Sequence, residues 1–180
     1  MTLTPPLVER AEQTAREHGF TKSCSPETGR LLHVLAARRG IARAGEIGTG
    51  YGVGAAWIVS ALVPGVPFVT VESDAVAAAA AAALFDEDAA VTVRTGDWRG
   101  VMPAEAPFDL LFVDISEAKD DPATVLGLVT PGGTIVLDDF SADWPAPDQR
   151  RERWLQHPRV VGLMVGLGGE SLALLATVTR

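Results

Sequence analysis

The chain has 180 residues, of which 47% are apolar and 21% charged, and it carries a net charge of -8. Such a length buries a core without staples, such a composition is folded rather than disordered, and the acidic balance argues against nucleic acid as a partner. Cys24 is the only cysteine, which excludes an internal disulfide and makes a cytoplasmic setting the expectation.

The first twenty residues, "MTLTPPLVERAEQTAREHGF", carry acids and prolines where a secretory signal needs a basic start and an unbroken apolar stretch. The most apolar run, 75–85, is too short for a bilayer span of about 20 residues, so no membrane partner is expected. Helices are predicted over 7–18 and 26–38, the second capped by Ser25 with Pro26 at its first position.

From about Arg43 short apolar runs alternate with helical stretches. The strands are "RAGEIG", "VPFVTVE", "AVTVRTG", "FDLLFVD" and "GTIVLDD"; helices over 52–62, 74–85 and 122–129 and a short turn at 98–102 separate them. Nearly continuous apolar strands belong to a parallel sheet covered on both faces. The alanines of 77–83 express helix propensity and carry no function. Beyond Asp139, "FSADWPAPD" is a proline-broken loop, Asp148 caps a helix running to about Gln156, and "RVVGLMVGLGGESLALLATVT" reads as two strands joined at "GLGG". No repeat or linker interrupts the chain, so one domain over 1–180 is expected, with N-terminal helices in 1–40 and an α/β core in 41–180.

The stretch "AGEIGTGYGVGAA" sets Gly48, Gly50, Gly52 and Gly54 at alternate positions between the first strand and a helix. Such a turn brings bare backbone amides and the positive end of a helix to a ligand. The dinucleotide fingerprint fails from Gly48, where Val53 takes the third place, and succeeds from Gly50 through Gly52 and Ala55, so spacing alone leaves NAD open. Glu72, ending the second strand, suits a ribose diol and so points to a nucleoside. Glu46, just before the glycines, would repel a pyrophosphate yet accept an amino acid's ammonium. A single tyrosine, Tyr51, and only two lysines, Lys22 and Lys119, leave no Tyr-x-x-x-Lys pair for a short-chain dehydrogenase. The three histidines lack metal-ligand spacing, and Cys24 in "KSCSPE" reads as a half-buried small residue.

Taken jointly, "EIGTGYG", "VESD", "TGDW", "FDLLFVD" and "PGGTIVLDD" resemble the class I S-adenosylmethionine-dependent methyltransferases, and most closely the small O-methyltransferases of the catechol and caffeoyl-CoA type. The resemblance runs from about Ser25 to the C-terminus. It implies a Rossmann-like, doubly wound α/β fold of seven strands in the order 3-2-1-4-5-7-6, the last antiparallel, with helices on both faces. It also implies S-adenosylmethionine as cofactor, magnesium or another divalent cation as a second one, and methyl transfer to a small hydroxylated molecule. A homodimer is compatible with the family habit and with the apolar terminal strands.

By that resemblance Gly48, Gly50 and Gly52 pass close to the methionine part of the cofactor, and Glu46 supports the loop or the cofactor's amino group. Glu72 holds the ribose hydroxyls, while Asp97 sits at the adenine with Trp98 lining it. Asp114 contacts the cofactor and binds the metal, and Asp138 and Asp139 occupy the remaining metal-ligand pair, commonly Asp-Asn. Oxygen-only ligands of this kind suit magnesium or calcium. The family's catalytic lysine stands three positions after the strand-four aspartate; here Lys119 stands five after Asp114 and reaches the same site only if the loop bulges. The N-terminal extension is short, so an acceptor pocket is expected from a lid over "DFSADWPAPD", with Phe140 and Trp144 offering aromatic faces. These departures keep a second reading open, a non-catalytic binding protein of the same fold.

Overall fold

Residues 4–141, 143, 148–169 and 171–180 are described by a computed structural model. Two helices lead in, α1 (Pro6–Glu17) and α2 (Pro26–Ala36), and the Ser25 side chain caps the second by accepting from the Thr28 N–H. The alternating unit follows as β1 (Ala44–Ile47), α3 (Val53–Val59), β2 (Phe68–Glu72), α4 (Ala75–Leu84), β3 (Val91–Thr95), α5 (Trp98–Glu105) and β4 (Phe108–Val113). Next come α6 (Ser116–Lys119), α7 (Pro122–Gly127), β5 (Val129–Ser141), α8 (Gln149–Leu155), β6 (Val160–Gly168) and β7 (Ser171–Val178).

The strands form one sheet in the order β3-β2-β1-β4-β5-β7-β6. Neighbours from β3 to β5 are parallel, and β7 runs antiparallel to both β5 and β6. Both faces are apolar because successive strand side chains alternate between them. In β4, Leu110 and Phe112 pack with α1, α2 and α3, whereas Leu111 and Val113 pack with α5, α7 and α8. This double cover explains why the central strands read as unbroken apolar runs.

Several limits differ from the sequence reading. The turn expected at 98–102 is an eight-residue helix, capped by Asp97, because Trp98 and Met102 both face the core. The final hairpin turns at the end of "GLGG" rather than across it: β6 runs to Gly168, β7 starts at Ser171, and a register irregularity between Gly166 and Gly168 lets Gly168 face Ser171. The one-turn α6 has no periodicity long enough to betray it. Phe140 is 6% exposed and belongs to the core beside Trp154 and Leu174, so it offers no face to a ligand. Trp144 lies outside the described residues.

Candidate active site

The parallel pairing of β1, β2, β4 and β5 ends on one edge of the sheet, and there the side chains at and just past its end meet. Ile47 faces Val71 and Val113, and Val113 faces Leu137, so Gly48, Glu72, Asp114 and Asp138 lie side by side one step later. The β5–β7 register then shifts between Leu137 and Phe140. Asp139 takes φ 60 at that irregularity, a left-handed conformation that Asp and Asn tolerate best among residues with a Cβ. The bulge brings Asp139 to the same place as Asp138: oxygens of Asp114, Asp138 and Asp139 all lie within 4.8 Å of one another.

Lys119 completes the cluster. The short α6 turns the chain after Ile115 and returns the lysine to the site, where its Nζ lies 3.5 Å from Asp114 Oδ1 and 3.0 Å from Asp139 Oδ2. The side chain is 2% exposed. The backbone that carries it is held from the far side, since the buried Trp154 indole of α8 donates to the Lys119 carbonyl at 2.7 Å. The five-residue spacing thus delivers an ammonium to the carboxylates.

Burial is the main reason the Asp114 carboxyl is raised to about 7, and Asp139 and Asp138 push it further up against the pull of Lys119. Asp138 is raised by burial too, although the Asp139 backbone N–H and the Thr28 hydroxyl oppose this by hydrogen bonding. Cys24 stands near the same carboxylates, and burial, then Asp114, keep its thiol protonated, which removes it as a nucleophile.

The glycine loop is shaped largely by its own protein. Gly48 has φ 96, and a Cβ there would lie 3.2 Å from the Asp114 carbonyl, so the first glycine lets β1 and β4 close together at the site. A Cβ on Gly54 would collide with the Glu46 carboxylate and lie 2.9 Å from Phe112. Glu46 needs that space because it is 1% exposed and turns beneath α3. Its Oε2 accepts from the Thr70 hydroxyl at 2.7 Å, Thr49 continues the chain, and the Ala55 N–H donates to it as well. Burial pushes its carboxyl well above the usual range despite these bonds. Glu72 ties the loop to the next helix, accepting from the Gly50 N–H at 2.8 Å and the Asp74 N–H at 3.0 Å.

These groups border a cavity of about 380 Å³ that includes Glu46, Gly48, Gly50, Glu72, Asp114 and Asp139 in its lining. Its volume falls in the range of small-molecule sites, about 300–1,000 Å³. The outer wall is one the sequence reading missed: Phe20, Lys22, Ser23 and Cys24, in the connection between α1 and α2. Phe20 packs on the glycine loop, with its ring 5.2 Å from that of Tyr51. Nothing in "FTKSC" signals a site, because its place depends on how α1 docks on α3 and α4. Gly52 is buried and opens α3 with φ 87. Asp97 accepts from the Arg99 N–H at 2.9 Å and borders a separate recess with Ser73 and Glu117. Trp98 is 4% exposed and packed in the core, with the Arg99 guanidinium 4.6 Å from its ring. No partner for its Nε1 is found among the described residues.

The chain is similar to known proteins in sequence and in fold. A methyltransferase domain family matches residues 46–140. A Mycobacteroides abscessus protein assigned to the O-methyltransferases is 31% identical over 161 residues, covering 83% of this chain and 73% of its own. A catechol O-methyltransferase of Niastella koreensis is 30% identical over 158 residues, covering 80% and 70%. The crystal structure of an O-methyltransferase of tomaymycin synthesis from Streptomyces achromogenes, in complex with S-adenosylmethionine, superposes with a TM-score of 0.81 at 28% identity, covering 99% of this chain and 92% of that one. With the strand order, the glycine loop and the carboxylates at the strand ends, these matches show that the chain belongs to the class I S-adenosylmethionine-dependent methyltransferases, among the small O-methyltransferases.

Proposed function

We propose that this chain methylates a hydroxyl of a small acceptor, in the cavity between the glycine loop and the Asp114–Lys119–Asp139 cluster. The observation that carries this is the return of Lys119 to Asp114 and Asp139 at the cavity's edge. A protein that only bound the cofactor would have no need of a buried ammonium there. In this reading the whole chain acts as one domain, with 1–40 supplying a wall and 41–180 the core.

S-adenosylmethionine, when bound, supplies a methyl group on a sulfonium. The residues fit it: bare backbone at Gly48, Gly50 and Gly52 receives the methionine part, and Glu72 stands at the ribose. Glu46 acts mainly through the loop, because its carboxylate is already engaged with Thr70 and Ala55. Asp97 and Trp98 border the recess assigned to the adenine. Orientation does most of the work, since a fixed near-attack geometry is worth about 7–11 kcal/mol against about 3–5 kcal/mol for a positioned base. The hydroxyl proton passes to the Asp114–Lys119 pair, and Asp114, held at about 7, is the member able to take it near neutral pH.

Asp114, Asp138 and Asp139 also form a donor set that suits a hard dication. A magnesium ion held there would, when bound, acidify the acceptor hydroxyl. The Lys119 ammonium competes with it for two of the three carboxylates.

The deciding experiment is calorimetric titration with S-adenosylhomocysteine and with NAD, before and after chelation, followed by turnover with catechol. Micromolar binding of the homocysteine product alone, with methyl transfer, supports the proposal; binding without turnover over a broad acceptor panel supports the non-catalytic reading. Magnesium heat that vanishes in Asp138→Asn supports the metal site. Full turnover in chelator, with no such heat, assigns the counter-charge to Lys119 alone.

A further inference from the structure

The charges around the cavity are unevenly committed. Five carboxylates line it, and four already have partners in the fold: Glu46 with Thr70, Glu72 with the Gly50 and Asp74 N–H groups, and Asp114 and Asp139 with Lys119. Lys22 is the only cationic residue in the lining. No carboxylate among the described residues lies within salt-bridge reach of it.

A lysine beside so many acids is ordinarily drawn into an ion pair. Lys22 stands instead on the α1–α2 connection, exposed at the outer wall between Phe20 and Cys24. Of the groups assigned to the cofactor, Gly48, Gly50, Gly52 and Glu72 are buried or half-buried at the loop and at the end of β2, whereas Lys22 is exposed. With the cofactor seated on those deeper groups, an exposed ammonium in the outer wall faces the space left for the acceptor.

We infer that Lys22 receives an anionic group on the acceptor, so that the preferred substrate is a small hydroxylated carboxylate rather than a neutral alcohol or phenol. The inference rests on the methyl-transfer reading above and deepens it. Phe20, next in the wall, gives the body of a planar acceptor an apolar surface. The same ammonium chemistry could serve the carboxylate of the cofactor's own methionine part, and the experiment separates the two sources.

The probes are 3,4-dihydroxybenzoate and 3,4-dihydroxybenzamide, which share shape and hydroxyls and differ in charge. Wild-type enzyme is expected to favour the benzoate by about tenfold in kcat/KM, the lower end for a hydrogen bond to a charged group. The preference should shrink as salt rises, collapse to about one in Lys22→Met and persist in Lys22→Arg. S-adenosylhomocysteine affinity, measured separately by calorimetry, should change less than about twofold in Lys22→Met.

Equal use of the two acceptors by wild type overturns the inference while leaving methyl transfer standing. A preference that survives in Lys22→Met overturns it also. Loss of S-adenosylhomocysteine affinity with an unchanged acceptor ratio assigns Lys22 to the cofactor. If the homocysteine product binds and neither acceptor is methylated, while catechol is not methylated either, the functional reading itself fails and this inference with it.

Discussion

Lys119 places its ammonium 3.0 Å from the Asp139 carboxylate, although the lysine side chain is 2% exposed and the aspartate 74% exposed. A buried cation thus reaches outward to an acid held at the rim by a left-handed backbone. Such a pair orients the lysine toward the cavity and leaves the carboxylate free to meet a ligand. Replacing Lys119 by Met keeps the buried volume and removes the charge. The expected result is a kcat lowered by about 10²-fold, the lower end for a disabled proton-transfer pair, because Asp114 stays in place without the cation that orients and balances it. S-adenosylhomocysteine binding should persist, and its loss would mean instead that the carboxylates have rearranged.

Asp114 makes the stability of the metal-free protein depend on pH. Its carboxyl ionises at about 7 in the fold against 3.8 ordinarily, so the folded protein holds the extra proton between those values. The contribution is fully present below the ordinary value, declines as pH rises and is gone above the raised one. At full size it is of the order of 4 kcal/mol. Melting curves in chelator should therefore show lower stability at pH 8 than at pH 5, and Asp114→Asn should flatten the difference. Parallel curves for the two proteins would transfer the effect to Glu46 or Asp138, which burial raises in the same direction.

Trp154 holds Lys119 through the backbone rather than through the side chain. Its indole N–H donates at 2.7 Å to the lysine's carbonyl, which has few other donors at the end of a one-turn helix. Trp154→Phe keeps most of the packing and removes that donor, at an expected cost of about 1–3 kcal/mol. Denaturant unfolding measures this cost. Because α6 loses its outer restraint, kcat should fall while KM for the cofactor stays put, whereas a purely structural tryptophan would leave kcat of the folded fraction unchanged.

Gly54 is fixed by Glu46. An alanine there forces its Cβ against the Glu46 carboxylate and the Phe112 ring, an overpacking expected to cost about 1–3 kcal/mol. Glu46→Gln keeps the volume and should not relieve the clash, but Glu46→Ala in the same chain should recover part of the loss. A double-mutant cycle in urea reads the coupling; additive effects would show that Phe112 alone is the obstacle.

Composition, period and short motifs determined much of this protein. Unbroken apolar runs such as "FDLLFV" mark strands covered on both faces, and Ser25, Asp74 and Asp148 mark helix starts, because caps and strand periodicity are local physics. The glycine loop, Glu72, Asp114 after β4 and the aspartates where β5 leaves its parallel partner were legible for the same reason: the carboxyl ends of parallel strands are where an open sheet places its ligands. What escaped was everything that depends on chain segments far apart. Gly54 answers to Glu46 across a strand-to-helix turn, Phe140 turned inward at a bulge, and Lys119 came home on a helix too short to have a period. The wall from Phe20 to Cys24 exists only once α1 has docked on α3 and α4. Local sequence sets which way each element starts and stops, whereas the packing of α1 and α8 on opposite faces of the sheet decides which side chains meet in the cavity.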